Sequence, residues 1–345
     1  MRNAGTPPHG VQSPGEASIE AMLVELERRR QTGSPAAVAE GCMRLAEAYA
    51  ARGSLRRALV MYEEALKTFE ERDDRAARLL CLKNMAGLCY REGAWNRALD
   101  LYQQALALLT DPEARAEFAL TQSQIGSVYQ GQGDWEKALA AYRTSLTIRE
   151  ELGDTRGMAL LYNNLGAVLA RQERWEHARD AWNKCLTLHE RTGDLAGQAI
   201  TLGNLGSLSQ RQGHWTDALV WYERSLAVHR KGSDPLGEAT IWNNVGFVDK
   251  QLGQLDQALA AYQEGLTLLQ KIGDSLRATV AMYNMAVVHE GQGNYREALR
   301  LLEQVIDLDR RIGHPDLRRD METFRRVRQK LDAERDAKRV QGERA

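Results

Sequence analysis

The sequence predicts an all-α solenoid of antiparallel helix pairs, and three observations predict it. The 345-residue chain is 43% hydrophobic and 27% charged, with 29 glycines against 7 prolines, so tight turns are plentiful and helix breakers few. A small residue recurs at a constant step of forty, at Ala46, Ala86, Gly126, Gly166, Gly206, Gly246 and Ala286. Twelve residues after each stands an alanine: Ala58, Ala98, Ala138, Ala178, Ala218, Ala258 and Ala298. Self-similarity at a fixed period of this size marks a stack of two-helix units, each burying its apolar face on the next.

The elements of a unit follow in order. In the unit from Thr155 to Asp194, Leu161, Leu165, Val168 and Leu169 form a helical stripe. A glycine turn comes next, at Gly53, Gly93, Gly133, Gly213, Gly253 and Gly293, with Glu173 the one exception. The second stripe of the same unit is Trp175, Ala178, Trp182, Cys185 and Leu186. Four residues after the invariant alanine a ring recurs, at Tyr62, Tyr102, Tyr142, Trp182, Tyr222 and Tyr262, with Leu302 in the seventh unit. The small residue of the first helix lets the second approach, and the ring fills the space beside them. Units meet at Gly153-Asp154, Gly193-Asp194 and Gly273-Asp274, where glycine takes a left-handed C′ conformation and aspartate caps the following helix.

The expected organisation is a disordered tail over 1–16, a capping helix over 17–34, seven forty-residue repeats over 35–314, and a terminal helix with a charged tail over 315–345. The last helix carries Leu317, Met321, Phe324, Val327 and Leu331 on one face and charge on the other, as the exposed end of a solenoid requires.

Ile125-Gly126-Ser127-Val128-Tyr129 and the run from Ala138 to Tyr142 resemble the Leu-Gly-x-x-Tyr and Ala-x-x-x-Phe elements of the tetratricopeptide repeat. The resemblance covers about four-fifths of the chain and implies a right-handed superhelix. It departs in period: forty residues ending in Gly-Asp stand where about 34 ending in proline are usual. That longer form looks like the repeats of kinesin light chains, of the spindle scaffolds with GoLoco motifs, and of bacterial peptide-sensing regulators. The repeats do not decide among these.

Two residues before each small anchor stand Arg44, Asn84, Gln124, Asn164, Asn204, Asn244 and Asn284. A side-chain amide offers donors and an acceptor, so a row of them can bond the backbone of an extended peptide without reading its side chains. In the tetratricopeptide family the corresponding position lines a concave groove, and the resemblance therefore implies a peptide-binding surface here. The competing reading is that these amides bond between adjacent helices and hold the stack. Arg91, Arg171 and Arg211, seven residues after the row, join Lys83 as a possible attraction for an acidic segment; helix-end arginines favoured by the macrodipole are the alternative. Leu80, Leu120, Leu160, Ile200 and Val280, four residues before the row, are expected to be buried against the preceding unit, with apolar shelves for a ligand as the alternative. Trp95, Trp135, Trp175, Trp215 and Tyr295 open the second helices and read as packing, and His189 and His229 read as exposed polar positions.

The rest is exclusion. With 46 basic and 47 acidic side chains the net charge is -1, which does not suit a nucleic-acid binder. No apolar run reaches membrane length. Cys42, Cys81, Cys89 and Cys185 form no CxxC, the histidines form no HExxH, and no P-loop is present, so neither metal, cofactor nor catalysis is expected. No apolar segment follows Arg2, so no secretory signal is read and a cytoplasmic protein is expected. The expected function is a non-enzymatic scaffold for a protein or peptide segment, with a ligand- or peptide-sensing regulator as the alternative.

Overall fold

The computed structural model describes residues 14–342, all helix and turn with no strand among them. Of the expected tail, residues 1–13 lie outside the described residues, and a helix begins at Pro14. The chain divides into two compact units that meet in sequence at Gly157 and Met158. In the first, α1 (Pro14–Thr32) precedes three helix pairs: α2 (Pro35–Ala51) with α3 (Leu55–Glu71), α4 (Arg75–Arg91) with α5 (Trp95–Ala107), and α6 (Arg115–Gln132) with α7 (Trp135–Glu151). The second begins within α8 (Thr155–Arg171), which pairs with α9 (Trp175–Thr192). There follow α10 (Leu195–Arg211) with α11 (Trp215–Gly232), α12 (Pro235–Gln251) with α13 (Leu255–Ile272), and α14 (Ser275–Gly291) with α15 (Tyr295–Ile312). The last helix is α16 (Leu317–Gly342). The pairs fall where the forty-residue period places them, and links of two to four residues make neighbours antiparallel, the exception being the longer α5–α6 link over 108–114, which contains a 3-10 turn at Pro112–Ala114.

Pairing rests on one close approach per unit. A Cβ built on Gly166 would lie 2.7 Å from the Trp182 indole, and one on Gly206 would lie 2.5 Å from the Tyr222 ring. The facing alanines, Ala178 and Ala218, are fully buried. Three Tyr rings, Tyr142, Tyr222 and Tyr262, are among the largest fully enclosed side chains, and their hydroxyls differ in surroundings. Tyr142 donates to Gln130 Oε1 at 2.8 Å and lies 3.1 Å from the Ser127 hydroxyl. Tyr222 does the same with Gln210 at 2.8 Å and Ser207 at 3.2 Å. Beside Tyr262 those positions are Lys250 and Phe247, and its hydroxyl has no partner among the described residues.

The turns confirm the sequence's punctuation and its exception. Glu173 takes the glycine's place with φ 60°, a left-handed backbone that its neighbours in the series reach as Gly133 (80°) and Gly213 (76°). At the junctions Asp194 and Asp234 accept from the Gly197 and Gly237 amides at 3.0 and 2.9 Å, capping α10 and α12. The histidines expected to be exposed are instead part of these caps. His189 Nδ1 lies 2.9 Å from the second Asp194 oxygen, and His229, only 5% exposed, lies 3.0 Å from that of Asp234. Sequence placed them on a helix end; what it did not convey is that the absent side chain of Gly237 opens the space the His229 ring occupies.

Helix α16 docks through its apolar face, where Val327 and Leu331 are buried in the last core cluster with Phe324 packed against it, and through charge. Arg326 and Lys330 bracket Glu290, at 2.8 and 2.9 Å, and the guanidinium above all holds that carboxyl below the usual range. Deeper in the same contact lie Asp309 of α15 and Asp320 of α16, both buried. Neither Asp309 oxygen has a hydrogen-bond donor in reach among the described residues. Burial first, and then the Asp320 carboxyl, push Asp309 up to about 6.

Three outcomes follow from this packing. Gly166→Leu and Ala178→Leu each lower stability by about 1–3 kcal/mol or more through overpacking, read by chemical denaturation. Tyr222→Phe lowers stability by about 1 kcal/mol because Gln210 and Ser207 lose their partner, whereas Tyr262→Phe changes it by a few tenths at most. A carboxyl whose folded pKa is raised binds its proton more tightly when folded, so its contribution is present at low pH and is lost as pH rises through about 6. Asp309→Asn therefore raises the melting temperature by a few degrees at pH 7.5, with the gain gone below pH 4.

Candidate functional site

Each first helix carries the same stripe. Positions spaced by 4, 3 and 4 residues fall on one helical face. On α8 they read Leu160, Asn164, Ala167, Arg171; on α10 Ile200, Asn204, Ser207, Arg211; on α12 Thr240, Asn244, Phe247, Gln251; on α14 Val280, Asn284, Val287, Gly291. In the first unit, α4 reads Leu80, Asn84, Gly87, Arg91 and α6 reads Leu120, Gln124, Ser127, Gly131. Exposure has one profile in most of them. The amide and the position after it are half-buried, and both ends of the stripe are exposed. The middle of the stripe is therefore a floor and its ends are rims.

The amides do not all do the same thing. Asn204 Nδ2 donates to Asn163 Oδ1 at 2.9 Å, and Asn284 Nδ2 donates to Asn243 Oδ1 at 2.9 Å. Asn163 Oδ1 also accepts from Trp182 Nε1 at 3.2 Å. In the first unit Asn84 Nδ2 donates to the Tyr62 hydroxyl at 3.2 Å, and the Gln124 carbonyl is buried without a partner. Asn164 and Asn244 are half-buried, and no described residue hydrogen-bonds their amides. Asn163 and Asn243 were missed by sequence reasoning, although the doublets Asn163-Asn164 and Asn243-Asn244 were the available signal.

The cations divide likewise. Lys83 is ion-paired with Glu117 of the next first helix, and its side chain is largely covered. The Arg211 guanidinium lies 4.9 Å above the Trp175 ring centroid while the residue stays exposed. Arg91 and Arg171 are exposed and form no ion pair with a described residue. Trp175 and its counterparts are half-buried packing residues; Trp95 meets Tyr90 edge-on at 5.3 Å.

The apolar row corrects an expectation. Leu80, Leu160, Ile200 and Val280 are 39–55% exposed rather than buried against the preceding unit, and only Leu120 is half-buried. The physical reason is the face: these residues share the stripe of the exposed arginines, turned away from the second helices that cover the core. Leu236 and Leu276, one turn earlier on α12 and α14, are exposed as well.

All four cysteines are free and buried, and burial pushes the Cys42 and Cys81 thiols up to about 12. No group of three His, Cys, Asp or Glu among the described residues could hold a metal ion, and no helix among them is long and apolar enough to cross a membrane.

A family model described as tetratricopeptide repeat matches residues 36–111, 157–231 and 237–311, and a second of the same description matches 123–156. Among solved structures, the chain is similar to a signal transduction ATPase with a tetratricopeptide repeat sensor from Pyrococcus horikoshii. The TM-score is 0.64 at 16% identity, over 91% of this chain and 48% of that one. It is also similar to aspartyl phosphate phosphatase F from Bacillus subtilis (TM-score 0.61, 14% identity, 94% and 96% coverage). A Rap protein complexed with competence and sporulation factor aligns at TM-score 0.51 and 13% identity, over 93% of this chain and 99% of that one. At these identities the likeness is one of fold. No curated protein matches the sequence. Matches running through most of the helix pairs, in phase with the forty-residue period, leave one conclusion: the chain belongs to the tetratricopeptide repeat family.

Proposed function

We propose that this protein binds an extended peptide or protein segment across the stripes of its first helices. The observation that carries the reading is the pair Asn164 and Asn244. Both are half-buried amides, and neither has a hydrogen-bond partner among the described residues. Their amide atoms are open to a ligand, and the main chain of an extended segment supplies both a donor and an acceptor for them. Asn204 and Asn284 have a second role beside this one, since each also ties its helix to the previous first helix. Within the first unit Asn84, Gln124, Lys83 and Arg91 form a corresponding surface of their own, and Arg171 and Arg211 give the second an attraction for acidic groups.

A second reading, a peptide-sensing regulator acting on a transcriptional or phosphotransfer partner, uses the same surface. It is supported by the likeness in fold to a Rap protein complexed with competence and sporulation factor and to a protein with a tetratricopeptide repeat sensor. In that case occupation of the stripes is the input, and a different surface addresses the partner.

The test takes peptides selected from a displayed library on the full chain and compares binding isotherms with melting curves. Asn164→Ala with Asn244→Ala weakens binding at least tenfold, at about 0.5–1.5 kcal/mol per lost hydrogen bond, and leaves the melting temperature within a degree or two. Asn204→Ala and Asn284→Ala lower the melting temperature as well. Unchanged affinity in the folded Asn164/Asn244 variant removes the reading.

A further inference from the structure

Most of the large exposed apolar side chains of the second unit lie on first helices. Between residues 158 and 300, Leu160, Ile200 and Val280 are stripe positions and Leu236 and Leu276 stand one turn earlier, all on the N-terminal halves of first helices, while Val220 and Ile272 lie on second helices. Each of the four first helices thus presents at least one: Leu160 on α8, Ile200 on α10, Leu236 on α12, Val280 on α14. Exposed apolar groups arrayed in this way mark an interaction surface rather than scattered surface residues.

The spacing of the row selects its occupant. Successive first helices touch through Asn204 with Asn163 and Asn284 with Asn243, and α10 with α12 and α12 with α14 are in direct contact. Helices packed this closely stand about 8–10 Å apart. An extended chain rises about 3.3 Å per residue, and a polyproline II chain about 3.1 Å with three residues per turn. Three residues of either advance about 9–10 Å, one first helix. In a polyproline II chain every third side chain also points the same way. A period of two alternates faces correctly but advances only about 7 Å, and drifts off the row within two helices.

A helical ligand matches the spacing too, with one apolar residue per two turns, about 10.8 Å. It lacks what Asn164 and Asn244 require, because its backbone groups already bond one another. A polyproline II or extended segment leaves its main chain free. At the far rim, exposed Arg171 and Arg211 sit in one register on α8 and α10, so carboxylates on the opposite side of the segment have partners there.

We infer that the second unit takes a polyproline II segment of a partner protein with an apolar side chain at every third residue and carboxylates facing the arginine rim. This rests on the reading of the stripes as a peptide-binding surface.

The experiment uses synthetic peptides of about twelve residues and identical composition, rich in leucine, proline and aspartate. Their leucines are set at every third, every second or every fourth position, and a longer helical peptide carries leucine every seventh. Fluorescence anisotropy with the full chain reads affinity. The period-three peptide binds at least tenfold more tightly than the others, and Ile200→Ser, at an exposed position, lowers that affinity about fivefold or more. Arg171→Gln with Arg211→Gln does likewise, and the loss disappears when the aspartates are replaced by asparagine. Equal affinity across the series, tighter binding of the helical peptide, or no binding by any of them overturns the inference. If a peptide of another period binds and loses affinity in the Asn164/Asn244 variant, the binding surface stands and only the period-three rule falls. If the period-three peptide binds without depending on Asn164 and Asn244, the amide reading falls and the spacing rule stands.

Discussion

The contact on which the rest of the molecule depends is the approach of a ring to a residue with little or no side chain. Gly166 beneath Trp182 and Gly206 beneath Tyr222 leave no room for a Cβ, so the two helices of a pair are held at a distance that only these residue types permit. Once that distance is set, the alanine across the pair is sealed and the apolar stripes of both helices turn inward. The stripes that remain outward on the first helices are then dictated by geometry. They are the residues left over when the small residue faces the ring, and they recur every forty residues because the contact does.

The junction between pairs is built on the same logic of an omitted side chain. Asp234 caps α12 with one oxygen and meets the His229 ring with the other, and Gly237 leaves the ring its place. Asp194, His189 and Gly197 repeat the device one unit earlier, and Arg149, Asp154 and Gly157 use a guanidinium for it. An aspartate cap, the imidazole or guanidinium that meets it, and a glycine are thus a three-residue set at the junction of a second helix with the next first helix. The set also explains why a glycine is tolerated in the first turn of these helices, where its flexibility is unfavourable by about 0.5–1 kcal/mol relative to alanine.

The fold was legible because its determinants are periodic, and periodicity survives in a single sequence. Helix pairs, turn glycines and Asp caps all fall where the forty-residue step puts them, and even Glu173 was visible as the odd member of its row. What was illegible depends on relations between rows. That Leu160 and Ile200 are exposed follows from which face the ring occupies, and a hydrophobic residue at a helical spacing carries no mark of that. The burial of His229 depends on the absent side chain of Gly237, eight residues away. The Asn163 and Asn243 acceptors stood beside the amide row but belong to it only through contacts that cross between units.

Those contacts give the amide row an alternation that a forty-residue period by itself does not have. α8 and α12 carry an asparagine doublet, while α10 and α14 have Gly203 and Tyr283 before their single asparagine. Each doublet uses its first member to accept from the following helix, and this satisfies the single asparagine there. Among the described residues no partner remains for the second member of the doublet. The bonded amides fix the spacing of the first helices, and the unbonded ones, Asn164 and Asn244, are presented at a two-helix interval of about 16–20 Å by the same bonds. Bonded and unbonded amides are therefore neighbours in one network, and the bonds between first helices set the interval between Asn164 and Asn244.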